Sequence, residues 1–139
     1  MRWVKNGDFY QLRLLTGEEI VSSLVDFVQK VRIKSGVIWG LGAAKEIVLG
    51  WYDLKHHIYH RRRFRGEYEI CTLMGNIAWE NSEPICHIHT VISNRRFATY
   101  GGHLFEGKVG ATCEITILTG RKRLCRELVP DAGLKLLKL

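Results

Sequence analysis

The sequence has only two prolines, Pro84 and Pro130, and no serine- or glycine-rich tract, low-complexity stretch or internal repeat. Nothing marks a linker, so residues 1–139 read as a single domain, long enough to bury a core without disulfides or a structural metal. The four cysteines, Cys71, Cys86, Cys113 and Cys125, include no Cys-x-x-Cys pair. Scattered among apolar neighbours, they read as reduced core residues of a cytosolic protein rather than a disulfide frame or a set of thiolate ligands. The longest apolar runs, around Val37 to Ala44 and Ile47 to Tyr52, are too short and glycine-rich to cross a bilayer, so no membrane partner is expected. No apolar stretch follows Met1, Arg2, Trp3 and Lys5, which argues against a secretory signal or a presequence and for a cytoplasmic location.

Acidic residues are also in deficit, with 14 Asp and Glu against 21 Lys and Arg, for a net charge of +7. The excess gathers in Arg61-Arg62-Arg63-x-Arg65, Arg95-Arg96 and Arg121-Lys122-Arg123. Such a surface attracts polyanions or phosphorylated ligands, and serves equally as a solvated face that keeps a protein soluble. With 46% hydrophobic and 25% charged residues, the chain has the balance of a folded globular protein and not of a disordered one.

The periodicity predicts an α+β fold: a mostly antiparallel, curved sheet of about seven strands packed against one main helix. Phe9 to Leu15 alternate loosely as a first strand. Thr16 with Glu19 three residues on has the spacing of a capping box. Ile20, Leu24, Phe27, Val28 and Val31 then form an apolar helical stripe, closed by Lys34 and Gly36. Seven short β-rich runs follow: Val37 to Leu41, Glu46 to Asp53, Ile58 to Phe64, Tyr68 to Met74, Ile85 to Ile92, Phe97 to Glu106 and Ala111 to Leu118. Cys125 to Val129 reads as an edge strand, and Leu134 to Leu139 as a frayed end.

His87 and His89 stand two apart in one of these strands, which points both imidazoles to the same face. By itself such a pair is more often hydrogen-bonded or solvated than metal-bound. The third histidine strengthens it. Ser93 to Arg96 is turn-like, and the chain returns through Gly101-Gly102-His103. In a hairpin, opposed residues have a constant sum of numbers; 190 sets His103 opposite His87 and 192 sets it opposite His89. Any even sum puts all three on one face, and an odd register breaks the set. Three neutral imidazoles suit a divalent transition metal, zinc first, and leave a position open for water or ligand. Around this set, Gly101 and Gly102 mark either a close approach by a ligand or subunit or a simple bend in the sheet. Arg95 and Arg96 are placed to reach an anionic ligand. Glu114, on the polar face of a strand expected after a turn at Gly107 to Gly110, is the candidate fourth ligand, second partner or general base, with an exposed carboxylate as the plain alternative. His56, His57 and His60 do not converge and read as solvated hairpin residues.

The ordered combination of Gly40-x-Gly42-Ala43, Gly66-Glu67-Tyr68-Glu69-Ile70, Leu73-Met74-Gly75, Pro84-x-Cys86-His87-x-His89, Gly101-Gly102-His103-Leu104, Gly107-x-Val109 and Thr112-x-Glu114-Ile115 resembles the plants-and-prokaryotes conserved domain over nearly the whole chain. The resemblance implies an antiparallel α+β fold, a homotrimer, and a metal held at His87, His89 and His103. The partner-contact motif of plant members falls on Gly66 to Cys71, where Glu67 and Tyr68 depart from it. No Arg-Gly-Arg-Pro core of an AT-hook is present, so the minor-groove reader of plant relatives is missing. Three functions compete. They are a trimeric zinc-binding domain acting on a small anionic ligand, a DNA-associated transcriptional regulator with a structural metal, and a self-assembling scaffold.

Overall fold

The computed structural model describes residues 1–139. Eight strands share one sheet: β1 (Arg2–Asn6), β2 (Phe9–Leu15), β3 (Ser35–Asp53), β4 (Ile58–Glu80), β5 (Glu83–Ser93), β6 (Thr99–Gly120), β7 (Cys125–Val129) and β8 (Leu134–Lys138). A single helix, α1 (Ile20–Val31), sits between β2 and β3. Pairing is antiparallel throughout except where β7 meets β4 at Trp79 and Cys125. Because β5 pairs with both β4 and β6, while β3 also joins β4 to β6, four long strands form a circuit that closes on itself.

The strands are fewer and longer than the seven expected runs between Val37 and Leu118. Val37 to Leu41 and Glu46 to Asp53 are one strand, bent by register shifts between Gly40 and Glu46. Ile58 to Phe64 and Tyr68 to Met74 are likewise one strand, and so are the two runs on either side of Gly107 to Gly110. Gly107 to Gly110 is therefore not a turn. A Cβ on Gly107 would lie 3.1 Å from the Ile20 Cδ1 atom, and one on Gly110 3.3 Å from the Ala44 carbonyl carbon, so these glycines let β6 run close under α1 and β3. The chain adds β1 at the start, and the end expected to fray is β8, paired in register with β7.

The helix stripe falls where its spacing indicates. Ile20, Leu24, Phe27 and Val28 are buried in the same core as Leu12, Ile38, Leu73, Ile88, Ile92 and Ile115 from the sheet. Its caps differ from the expectation. Glu19, not Thr16, is the N-cap: its side chain accepts from Ser22 N at 2.6 Å and from Gly107 N at 2.8 Å. Thr16 instead donates to the Ala111 carbonyl at 3.0 Å. At the other end the helix stops at Arg32, which adopts the left-handed conformation (φ 60, ψ 42) four residues before Gly36. Tertiary contact decides the N-terminal end, because β6 offers Glu19 a second donor that local spacing does not reveal, whereas the C-terminal end closes locally, with Arg32 N donating to Gln29 O and Ile33 N to Val28 O.

The C-terminal hairpin of β7 and β8 is tied down over the far half of β4. Tyr52 donates to the Ala132 carbonyl at 2.9 Å, and Trp79 N donates to Leu124 O at 2.9 Å. Lys135 pairs with Glu80, and Arg123 lies over the Trp79 ring at 4.3 Å. Glu19→Ala should lower the unfolding free energy by about 1–2 kcal/mol, since two backbone donors lose their acceptor. Thr16→Ala should cost clearly less, and paired urea titrations compare the two.

Candidate metal centre

The three histidines meet on the face of the sheet turned away from α1. Along β5, Cys86, Ile88, Thr90 and Ile92 are buried, while His87 is half-buried and His89 exposed, as period-two alternation requires. Across the hairpin His89 is opposite His103, Thr90 opposite Gly102 and Val91 opposite Gly101. The pairing sum is thus 192, one of the two even registers. One ligand nitrogen from each of His87, His89 and His103 can be chosen so that all lie within 4.8 Å of one another.

The environment keeps two of the rings neutral. Burial, with the Arg126 charge and His89 adding to it, pushes His87 down to about 4. Burial does the same to His103, also to about 4, reinforced by His87, His89, Arg61 and Arg126. Neutral imidazole is the form that ligates a cation. His103 Nδ1 is buried without a hydrogen-bond partner, an orphan of the kind that a bound cation or an ordered donor satisfies. The donor set therefore fits a divalent metal.

The surroundings of the set come from residues that strand spacing did not flag. His87 and His103 line a cleft of about 200 Å³ with Tyr59, Ile85, Arg126 and Leu134. Tyr59 and Phe105 pack against the His103 ring at centroid separations of 5.2 and 4.6 Å, and the Arg61 guanidinium sits 3.7 Å over Phe105. Arg126 arrives from β7, donating to Lys135 O at 2.9 Å and to Asn76 Oδ1 at 2.7 Å. Asn76 is the cross-strand partner of His87, so this bond ties the C-terminal hairpin to the histidine row. The only signal for Arg126 in the sequence is an arginine in an expected edge strand, which says nothing of where that edge docks.

Other expected site residues lie elsewhere. Glu114 is exposed, opposite Leu41 and Arg13 and eleven residues along β6 from His103, so it is not brought to the imidazoles. The argument that placed it near them required the turn at Gly107 to Gly110, which the chain does not make. Arg95 and Arg96 occupy the turn beyond Ser93 and, with Arg65 and Glu67, line a separate cavity of about 430 Å³. A further cavity of about 560 Å³ is lined by residues that include Tyr68, Asn94, Arg95 and Phe97 and no histidine. Gly101 and Gly102 do flank His103, but a Cβ on Gly102 would lie 2.6 Å from Gly50 O, and one on Gly101 3.3 Å from the Val91 side chain. What approaches them is the neighbouring strand. His56 and His60 are exposed and turn to Asp53, the former at 2.8 Å, whose carboxyl is held below its usual range chiefly by that bond. Of the four cysteines expected in the core, only Cys86 and Cys113 are buried; Cys71 and Cys125 are exposed on their strands, and all four are free thiols.

A family model for the Plants and Prokaryotes Conserved (PCC) domain matches residues 1–120. The chain belongs to the Plants and Prokaryotes Conserved domain family. Solved structures agree. A protein from Bacteroides thetaiotaomicron, provisionally described as DNA-binding, is 29% identical with a TM-score of 0.96, covering 99% of this chain and 96% of that one. A metal-containing protein from Archaeoglobus fulgidus is 30% identical with a TM-score of 0.89 over 97% and 96% of the two chains. A plant- and prokaryote-conserved protein from Pyrococcus horikoshii is 28% identical with a TM-score of 0.88 over 96% and 92%. No curated protein matches the chain in sequence. No helix of this domain is long and apolar enough to cross a membrane.

If Gly102 serves strand packing, Gly102→Ala should lower stability by about 1–3 kcal/mol through overpacking. Gly101→Ala, whose Cβ would come no closer than 3.3 Å to the Val91 side chain and 3.4 Å to the Thr90 carbonyl oxygen, should cost less. Thermal unfolding of the two variants separates backbone approach from a ligand-clearance role, which would leave stability untouched.

Proposed function

We propose that this protein is a cytosolic, homotrimeric metal-binding domain whose His87, His89 and His103 hold zinc. The observation that carries the reading is the convergence of three ligand nitrogens within 4.8 Å, with the His103 Nδ1 atom buried and unpartnered. Three imidazoles are borderline ligands that suit zinc, and three protein ligands leave a position free for an exogenous group. Bound there, the ion would supply a Lewis-acid centre. The metal-containing Archaeoglobus relative supports the reading. Glu114 has no part in it, and the residues lining the cleft include no carboxylate to act as a general base.

The trimer is supported by an apolar patch on the face that carries the histidines. Trp39 is 41% and Met74 51% exposed, and they are cross-strand partners; Val37 and Leu118, another exposed pair, adjoin them. Exposed apolar side chains gathered in this way are commonly covered by another chain. Met74 is also opposite His89, so the metal centre borders the patch.

A second reading, a DNA-associated regulator, draws on the provisional description of the Bacteroides relative and on the grouping of Arg65, Arg95 and Arg96 around one cavity. Part of the basic run is already engaged: Arg63 bonds Glu46 and Glu106, and Arg62 lies over Phe64 and Tyr100.

Elemental analysis of protein prepared with zinc should find about one ion per chain, falling at least about tenfold when any one of the three histidines is replaced by Ala. Unchanged zinc in the triple variant would sink the metal reading. Trp39→Glu should convert the trimer to monomer in analytical ultracentrifugation. For the second reading, affinity for duplex DNA should fall about tenfold or more between 50 and 200 mM salt and weaken in Arg95→Ala/Arg96→Ala, as gel shifts would show.

A further inference from the structure

The cleft beside the histidines is electrically one-sided. Its lining contains Arg126 and Lys135 but no aspartate or glutamate. Lys135 turns away to pair with Glu80, which leaves Arg126 as the cation of the cleft. Arg126 has no carboxylate within ion-pair distance; its protein contacts are two neutral acceptors, the Lys135 carbonyl and the Asn76 amide oxygen. Its Nε atom is buried with no acceptor at all. A partly buried guanidinium with an orphaned N–H and no counter-ion is costly unless something supplies the missing negative oxygen. A divalent ion on the histidines would deepen the excess of positive charge, and Arg61 over Phe105 adds to it from the other side of His103.

The donors that remain free on Arg126 select the chemistry. Nη1 and Nη2 each spend one N–H on the protein, so Nε–H and the second Nη N–H groups are left. A planar fork of this kind matches the two oxygens of a carboxylate bidentately. The remaining wall is apolar, formed by Ile85, Leu134 and Leu136, and the volume of about 200 Å³ admits only a few carbons beyond the acid group.

We propose that the cleft binds a short monocarboxylic acid with a branched or straight aliphatic tail, its carboxylate read by Arg126 next to the histidine-held ion. This rests on the metal reading above for the ion, but not for the arginine fork. The fork comes from the hairpin after residue 120, beyond the span matched by the family model, so the ligand class is set by a segment distinct from the one that carries the histidines.

The probe is isobutyrate, with isobutyramide and inorganic phosphate as comparisons, added to the purified full chain with zinc and after zinc removal. Titration calorimetry reads affinity, and the Arg126 Nε–H signal in a proton–nitrogen correlation spectrum reads the contact itself. Isobutyrate should bind and move that signal, isobutyramide should do neither, and phosphate should bind more weakly. Arg126→Gln should reduce isobutyrate affinity at least about tenfold while zinc content stays at the wild-type level. Arg126→Lys, which keeps the charge but not the fork, should lose most of the affinity too and guards against a folding defect in the first variant. Wild-type affinity in both variants, or tighter binding of phosphate than of isobutyrate, would overturn the proposal. If the chain holds no zinc, the metal reading fails alone; isobutyrate binding to the metal-free chain that Arg126→Gln abolishes would still support the carboxylate site, and its absence would overturn it.

Discussion

The candidate centre depends on the pairing of β5 with β6. His89 lies opposite His103, and because side chains alternate along a strand, His87 shares their face. A slip of one residue would turn His103 toward the core, where Ile88, Ile92 and Leu104 pack, and expose an apolar neighbour in its place. The same alternation that buries the core side chains therefore assembles the three imidazoles. Stability and site geometry are two consequences of one register.

Closure of the long strands carries the constraint further. Gly50 on β3 lies opposite both Arg61 and His103, so the β3–β4 hairpin is held against the histidine row, and Gly102 admits the Gly50 backbone without a Cβ in the way. Tyr59, Phe105 and Arg61 form the wall behind His103 as a result. The C-terminal hairpin closes the other side, drawn there by Trp79, Glu80 and Asn76 at the far half of β4. Burial between these two hairpins is what lowers the proton affinity of His87 and His103.

Much of the local structure was legible in the chain. The apolar stripe from Ile20 to Val28 locates α1 because helical spacing is a property of neighbouring turns. The alternation from Cys86 to Ile92 locates β5 and the side on which its histidines stand. Strand ends were less legible. The Gly107 to Gly110 segment looks like a turn, since glycine is common in turns, yet here its glycines relieve close approaches inside a continuous strand. Glu114 was misplaced for this reason: a strand that continues carries its carboxylate away from His103, whereas a strand that turns back would have returned it.

The sequence by itself determined the apolar stripe of the helix and the common face of His87 and His89, because these follow from side-chain periods of 3.6 and two residues; the even register that brings His103 to them was decided by the pairing of β5 with β6. The tertiary structure alone decided which charges stand beside them. Arg95 and Arg96 are near in sequence but sit in the turn, lining a separate cavity, while Arg126 is distant in sequence and lies in the cleft. The reason is physical: periodicity is set by the backbone a few residues at a time, whereas the docking of β7 and β8 depends on hydrogen bonds and ion pairs to β3 and β4 that exist only once the sheet has closed.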